Sequence, residues 1–269
     1  MTGDRNRNPV IAVGSGKGGV GKSVLSVALA SEFASRGRRV LLVDGSHNQG
    51  NLHVMLGVRP RAGIEGVLSG RTDPGDLLVP VADQLELLPI ESGTQSLYRL
   101  SPVDRARLHL RLTSTFEAFD AVVIDAGPGI ESPMLASMRA TRLVVVVVPE
   151  PTSLSDAYAL IKIATIRSPG LPIDLVVNRT LCEEEGPAAF ARCDLASRRF
   201  LRRTIGYLGA VEEDPTFRAA VRTPGELLRH PAPAGIAAIA ARLLSPAPGG
   251  SESERGSEAF AAHAGGAEG

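Results

Sequence analysis

The chain of 269 residues contains no tryptophan, three tyrosines and seven phenylalanines. Its core therefore has to be built from Val, Leu, Ile and Ala, as in a parallel sheet covered by helices on both faces. Cysteine is scarce too. Cys182 and Cys193 are too far apart for a C-x-x-C site and have no clustered histidines, which leaves the ordinary thiols of a reduced, cytoplasmic protein. Neither sign of charge is in excess, with 29 basic residues against 29 acidic ones, so no global attraction to nucleic acid or anionic lipid is built in. Long apolar runs are also missing. Leu143–Val148 is far too short to span a bilayer and reads as a buried central strand, and Met1–Pro9 is polar, without the apolar segment of a signal peptide.

What the chain has in abundance is glycine at one place. Gly14–Ser23 reads Gly-Ser-Gly-Lys-Gly-Gly-Val-Gly-Lys-Ser, directly after the apolar run Val10–Val13. Gly16, Gly21, Lys22 and Ser23 satisfy the pattern G-x-x-x-x-G-K-[ST], with a strand before it and a helical pattern after it. The glycines at 16, 18, 19 and 21, with Val20 between the last two, let several backbone N–H groups converge on one anion. The following helix adds the positive end of its dipole. Lys22 can reach the outer phosphates of a nucleotide, and the Ser23 hydroxyl can ligate Mg²⁺. Lys17 is an extra cation that phosphate binding within one subunit does not require.

Short β-rich runs alternate with helical patterns along the chain. Strands are predicted at Val10–Val13, Val40–Val43, Leu85–Leu88, Ala121–Ile124, Leu143–Val148, Ile173–Val177 and Ile205–Leu208. Helices are predicted at Lys22–Ser35, Val103–Phe116, Pro133–Ala140, Leu154–Ile166, Pro187–Leu201, Pro215–Val221 and Gly235–Leu244. The alternation gives an α/β fold, a doubly wound and mostly parallel sheet flanked by helices. The ligand of such a sheet sits beyond the carboxyl ends of its strands. The phosphate loop, Asp44, Asp125 and Asn178 all fall there. The domain is expected to span residues 10–244, after a flexible residue 1–9 segment. From residue 245 to 269 the chain turns rich in Ser, Gly, Ala and Glu, the composition of a disordered acidic tail.

The run Lys17-Gly18-Gly19-Val20-Gly21-Lys22-Ser23 resembles the deviant Walker A loop of the MinD/ParA family of P-loop ATPases. The likeness extends from about Val10 to Leu244 and is most specific at Pro149–Lys162, which looks like the FlhG/FleN-type branch that sets flagellar number and placement. The resemblance implies ATP/ADP and Mg²⁺ as ligands, and a homodimer formed on ATP binding, with Lys17 contacting nucleotide across the interface. The plainer alternative is that Lys17 adds charge to its own pocket. Asp125 matches the acid that holds Mg²⁺ through its water shell. Ser23 and Asp44 complete the expected metal set. Ala126-Gly127-Pro128-Gly129 resembles the second switch, with the Gly127 segment offering a backbone N–H near the γ-phosphate. Pro128 removes one donor there. Asn178 resembles the adenine-reading Asn, since a carboxamide donates and accepts at once; capping a turn is the competing role. Glu212-Glu213-Asp214 falls in the loop that closes over the base.

The chain departs from the family at one catalytic position. The family pattern Asp-x-Asp reads here Asp44-Gly45-Ser46, so the acid that orients the attacking water is Ser46. Loss of a positioned base costs about two to four orders of magnitude in rate. Catalytic residues are thus expected at Lys17, Lys22, Asp44 and Ser46, with slow or lost hydrolysis. His47 or His53 is an alternative base. A nucleotide-sensing scaffold without chemistry is the second reading. A ParA-like DNA-partitioning ATPase is the third, favoured only by Arg192, Arg198, Arg199, Arg202 and Arg203, with Glu183–Glu185 arguing against one basic face. The resemblance also implies a flagellar-placement GTPase of the FlhF type as partner and recruitment to a cell pole. Membrane attachment is argued against, because Ile236, Ile239, Leu243 and Leu244 form a stripe suited to packing on the domain and the acidic tail would be repelled by an anionic bilayer.

Overall fold

The computed structural model describes residues 8–45, 52–60, 65–89, 101–127 and 140–245. The strands among them are β1 (Val10–Gly14), β2 (Val40–Gly45), β3 (Val79–Ala82), β4 (Leu85–Leu88), β5 (Ala121–Ala126), β6 (Arg142–Val147), β7 (Ile173–Thr180) and β8 (Gly206–Glu212). They form one sheet in the order β3-β4-β2-β5-β1-β6-β7-β8. Every neighbouring pair is parallel except β3 with β4. The central strands β2 and β5 are buried along their whole length. Burial on both faces explains why they read as unbroken apolar runs rather than as an alternation.

Strand residues nevertheless divide between the two faces with period two. Ile11, Val13, Val144 and Val146 pack with α1 (Lys22–Ser35) and with the last helix, Ala234–Leu244. Ala12, Leu143, Val145 and Val147 pack on the other face, with the helices Pro151–Arg167 and Glu185–Ala196. Leu41, Val43, Val122 and Ile124 meet α-helical Leu108 and Leu112 of Pro102–Phe116 further along that face. In chain order the helices are α1, α2 (Leu52–Leu56), α3 (Glu65–Leu68), α4 (Pro102–Phe116), α5 (Pro151–Arg167), α6 (Glu185–Ala196), α7 (Pro215–Ala220) and α8 (Ala234–Leu244).

The predicted doubly wound sheet is present, and several bounds move. Asp44, Asp125 and Asn178 lie within β2, β5 and β7 rather than beyond them, because each strand runs two or three residues further than its apolar stretch. β3 has no predicted counterpart. Pro80 interrupts its pattern and is tolerated because β3 is an edge strand with an irregular register. The helix predicted over Pro187–Leu201 ends as α-helix at Ala196 and continues as a π-helical turn, Ser197–Leu201. Apart from Ala140, the helix predicted over Pro133–Ala140 lies outside the described residues. So do the tail beyond Ser245 and the segment 1–7.

α8 settles the fate of its apolar stripe. Ile236, Ile239 and Leu243 are buried in the core shared with α1 and β8. Arg242 turns back to bond the Leu208 carbonyl. Among the described residues no helix is long and apolar enough to cross a membrane.

Candidate nucleotide-binding site

β1 ends mid-sheet at Gly14, and the glycine loop crosses from there to α1. Two of its glycines are required by geometry. Gly21 caps α1 with φ at 88° in the left-handed region, and a Cβ there would fall 2.3 Å from Asn178 Nδ2. A Cβ at Gly16 would fall 2.1 Å from the Asp156 carbonyl oxygen of α5. The loop is thus pressed between α5 and β7, while Gly18 and Gly19 face open space.

Lys22 opens α1 and points its ammonium at Asp125 of β5. Nζ donates to Asp125 Oδ1 at 2.6 Å, and the side chains are 7% and 1% exposed. Ser26 Oγ, one turn along α1, lies 3.3 Å from the same carboxylate oxygen and 3.0 Å from the Lys22 carbonyl, so its one proton is shared between these two acceptors. Ser23 Oγ lies 3.3 Å from Lys22 Nζ. Asp44 is Asp125's register neighbour across β2 and β5, is buried, and accepts the Leu52 backbone N–H of α2 at 3.1 Å. Ser23, Asp44 and Asp125 thus bring one hydroxyl and two carboxylates to the carboxyl edge of three adjacent elements. All are hard oxygen donors, and they fit Mg²⁺, which keeps several waters and takes few protein ligands. Gly127 directly follows β5. Ser46, His47, Pro128 and Gly129 lie outside the described residues, so the proposed water-orienting position is not among them. His53 sits half-buried on α2.

Lys17 reaches the start of α5. Its Nζ lies 3.1 Å from Glu150 Oε2 and 3.3 Å from Thr152 Oγ1. The stretch Pro149–Lys162 thereby gains a physical role. Glu150 and Thr152 hold Lys17, the Ser153 hydroxyl accepts the Val148 N–H at 3.1 Å, and the Asp156 backbone meets Gly16. The sequence reading missed Glu150 and Thr152. The only available signal was that this stretch carries the most specific likeness.

Beyond the loop a cleft of about 330 Å³ opens between Gly19, Gly21, Asn178, Arg179, Glu212–Asp214 and Phe217. Asn178 is anchored by Nδ2 donating to the Val20 carbonyl at 2.8 Å. The register between β7 and β8 shifts just there, and Arg179 takes φ at 60°. That kink turns Arg179 toward Glu213, whose Oε2 accepts from Arg179 Nε at 2.8 Å while Oε1 accepts from Arg218 Nη1 at 3.0 Å. The Arg179 guanidinium, helped by Arg218, holds the Glu213 carboxyl below the usual carboxylate range. Asp214 caps α7 through the N–H groups of Thr216 and Phe217, and the Thr216 hydroxyl, donating to it at 2.6 Å, lowers its pKa most, with these N–H bonds adding to it. Asn178 and the 212–214 loop, paired on sequence grounds, line one cleft. The two arginines that fix Glu213 were not foreseen, because a long-range bridge leaves no local pattern.

The profile of the ParA family, described as NUBPL iron-transfer P-loop NTPase, matches residues 6–179. The antiactivator FleN of Pseudomonas aeruginosa is 37% identical over 215 residues, covering 79% of this chain and 76% of that protein. This chain belongs to the ParA/MinD family of P-loop NTPases. Within the family it is of the FleN/FlhG type. The flagellum site-determining protein YlxH of Helicobacter pylori is 31% identical over 232 residues, covering 86% of this chain and 78% of its own length. Among solved ParA/MinD structures, the MinC:MinD cell division complex of Aquifex aeolicus superposes with a TM-score of 0.70 at 26% identity, over 88% of this chain and 95% of the other.

Proposed function

We propose that this protein is an ATP- and Mg²⁺-dependent switch that regulates flagellar number or placement. Two named relatives, an antiactivator and a flagellum site-determining protein, motivate the cellular role. The observation that carries the biochemical reading is the Lys22–Asp125 pair at the mouth of the glycine loop, with Asn178 keyed to the same loop through Val20. A nucleotide's phosphates would take the loop N–H groups and draw Lys22 from Asp125, freeing the carboxylate to hold a hydrated Mg²⁺ beside Ser23 and Asp44. Bound Mg²⁺ would neutralise charge on the phosphates. With Nδ2 held by Val20, Asn178 keeps its Oδ1 as an acceptor for the exocyclic amine of adenine.

In this reading Lys17 leaves Glu150 to meet the nucleotide of a second copy, residues 10–244 act as the switching unit, and the protein works in the cytoplasm with an FlhF-type GTPase as partner. Ser46 makes hydrolysis slow. Calorimetry with Mg·ATP is expected to show one site per chain; no uptake ends the proposal. Sedimentation is expected to show a dimer with ATP that Lys17→Ala abolishes. Steady-state turnover should rise at least about tenfold in Ser46→Asp. Brisk wild-type hydrolysis that the substitution leaves unchanged would remove Ser46 from the mechanism. Ser46 also favours the second reading, a nucleotide sensor without chemistry, for which turnover stays at background in both forms while binding persists.

A further inference from the structure

α2 is only five residues long, and a helix of that length has no stability of its own in water. Its place is set by what holds it. At the amino end the Leu52 N–H, one of the first-turn donors that a helix cannot satisfy internally, is accepted by Asp44 Oδ2 at 3.1 Å. Leu52 and Leu56 are buried in the core cluster that also contains Leu227. At the carboxyl end the Met55 carbonyl accepts the Gly225 N–H at 2.9 Å.

That carboxyl-end attachment is a junction of two glycines. Gly57 follows α2 at φ 69°, and Gly225 caps the short 3₁₀ turn Glu226–Leu228 at φ 77°. Both lie in the left-handed region, where a β-branched residue is strained and Asn is tolerated. A Cβ on Gly57 would sit 3.4 Å from the Gly225 nitrogen, and one on Gly225 would sit 3.5 Å from the Leu56 carbonyl oxygen. The two stretches of backbone thus meet with no side chain between them. Gly225 is tied in turn to α7. The Thr223 N–H bonds the Ala220 carbonyl at the end of that helix, and the Glu226 N–H bonds the Thr223 carbonyl. α7 itself walls the nucleotide cleft with Phe217 and Arg218. A line of backbone bonds therefore runs from the cleft wall, through Gly225 and α2, to the Asp44 carboxylate.

We propose that Gly225 is a positioning residue for the metal-binding carboxylate of Asp44. By seating the carboxyl end of α2, its N–H fixes where the Leu52 N–H lies, and that group orients Asp44 beside Asp125 and Ser23. A helix of little more than one turn moves as a unit, so a shift at the Gly57–Gly225 junction reaches its first N–H rather than being absorbed along its length. The inference rests on the reading of Ser23, Asp44 and Asp125 as the Mg²⁺ donors, and it makes the metal end of the site depend on how α7 is seated.

The test compares Gly225→Val, which strains the turn, with Gly225→Asn, which keeps it. Affinity of the full chain for a nonhydrolysable ATP analogue is measured by calorimetry with Mg²⁺ and again in EDTA. Gly225→Val should lose about tenfold with Mg²⁺ and less than about twofold in EDTA, as for an outer-shell partner of a metal ligand. Gly225→Asn should follow the wild type in both. Asp44→Asn should lose the gain from Mg²⁺ as well, and adding Gly225→Val to it should cost nothing more, because the junction acts through that carboxylate. Without nucleotide, hydrogen exchange of the Leu52 amide should speed up about tenfold in Gly225→Val while the amides of α1 keep their wild-type rates. If Gly225→Val does not fold, Gly57→Ala, strained at φ 69°, takes its place in every comparison. Equal losses with and without Mg²⁺, additive losses in the double variant, or an unchanged Leu52 amide overturn the inference and leave the nucleotide reading standing. Wild type that takes up no nucleotide under either condition removes that reading, and the inference falls with it.

Discussion

At the glycine-loop end of the nucleotide cleft, Lys22 and Asp125 meet at 2.6 Å with side chains 7% and 1% exposed. At the other end, Glu213 is gripped by Arg179 and Arg218, whose side chains are 45% and 60% exposed. Both ends use opposite charges, but in different media. A buried pair interacts strongly and leaves a costly orphan when one member is removed. A solvated bridge contributes little, is screened by salt, and mainly selects one arrangement of a loop. The first end is also fixed by backbone, through glycines with no room for a Cβ, and the second by long side chains.

The contrast predicts its largest effect at Lys22. Lys22→Met leaves the Asp125 carboxylate buried beside Ser26 alone, and should lower the stability of the nucleotide-free protein by about 3 kcal/mol. The double variant Lys22→Met, Asp125→Asn should recover most of that loss, because the uncompensated charge is gone. Chemical denaturation of the four forms measures the coupling. A single variant as stable as the wild type would mean that water reaches the pair and that the two ends do not differ in kind.

Gly21→Ala comes next. The new Cβ meets the Asn178 carboxamide at 2.3 Å, and the residue must hold φ 88°. Both the glycine loop and the Asn178 side chain shift together. Mg·ATP affinity should fall by about a hundredfold by calorimetry, close to 2.7 kcal/mol. Gly18→Ala, where nothing lies within 4 Å, should change it far less and serves as the matched control.

How far the sequence disclosed this architecture follows from the same contrast. The loop, Lys22, Asp44 and Asp125 were legible because local motif and strand burial specify them: the residues sit at fixed spacings after apolar runs. Asn178 was legible by position at the end of β7, but its bond to Val20 joins residues 158 apart in the chain. The Arg179 and Arg218 grip on Glu213, and the Glu150 hold on Lys17, link surface side chains whose identities impose no periodicity. β3 was hidden by Pro80, and the π turn by an apolar pattern that continues smoothly from α6. Contacts set by tertiary approach of flexible side chains leave no trace in one sequence.

The smallest effect belongs to Glu213→Gln, and it separates the two ends most cleanly. Glutamine keeps the shape and one acceptor while removing the charge. Stability should hardly change, and ATP affinity should fall about fivefold or less. The loss should shrink as salt is raised, since the wild-type bridge is itself screened. Acid offers an independent check. Arg179 and Arg218 hold the Glu213 pKa below its ordinary 4.5, so the bridge contributes fully above that value. Its contribution then fades as pH falls through the lowered folded-state pKa. ATP affinity measured from neutral pH downward should therefore stay level in this respect until below the ordinary carboxylate range, where wild type converges on Glu213→Gln. Convergence already near neutral pH would show that the carboxylate is not gripped by the two guanidinium groups.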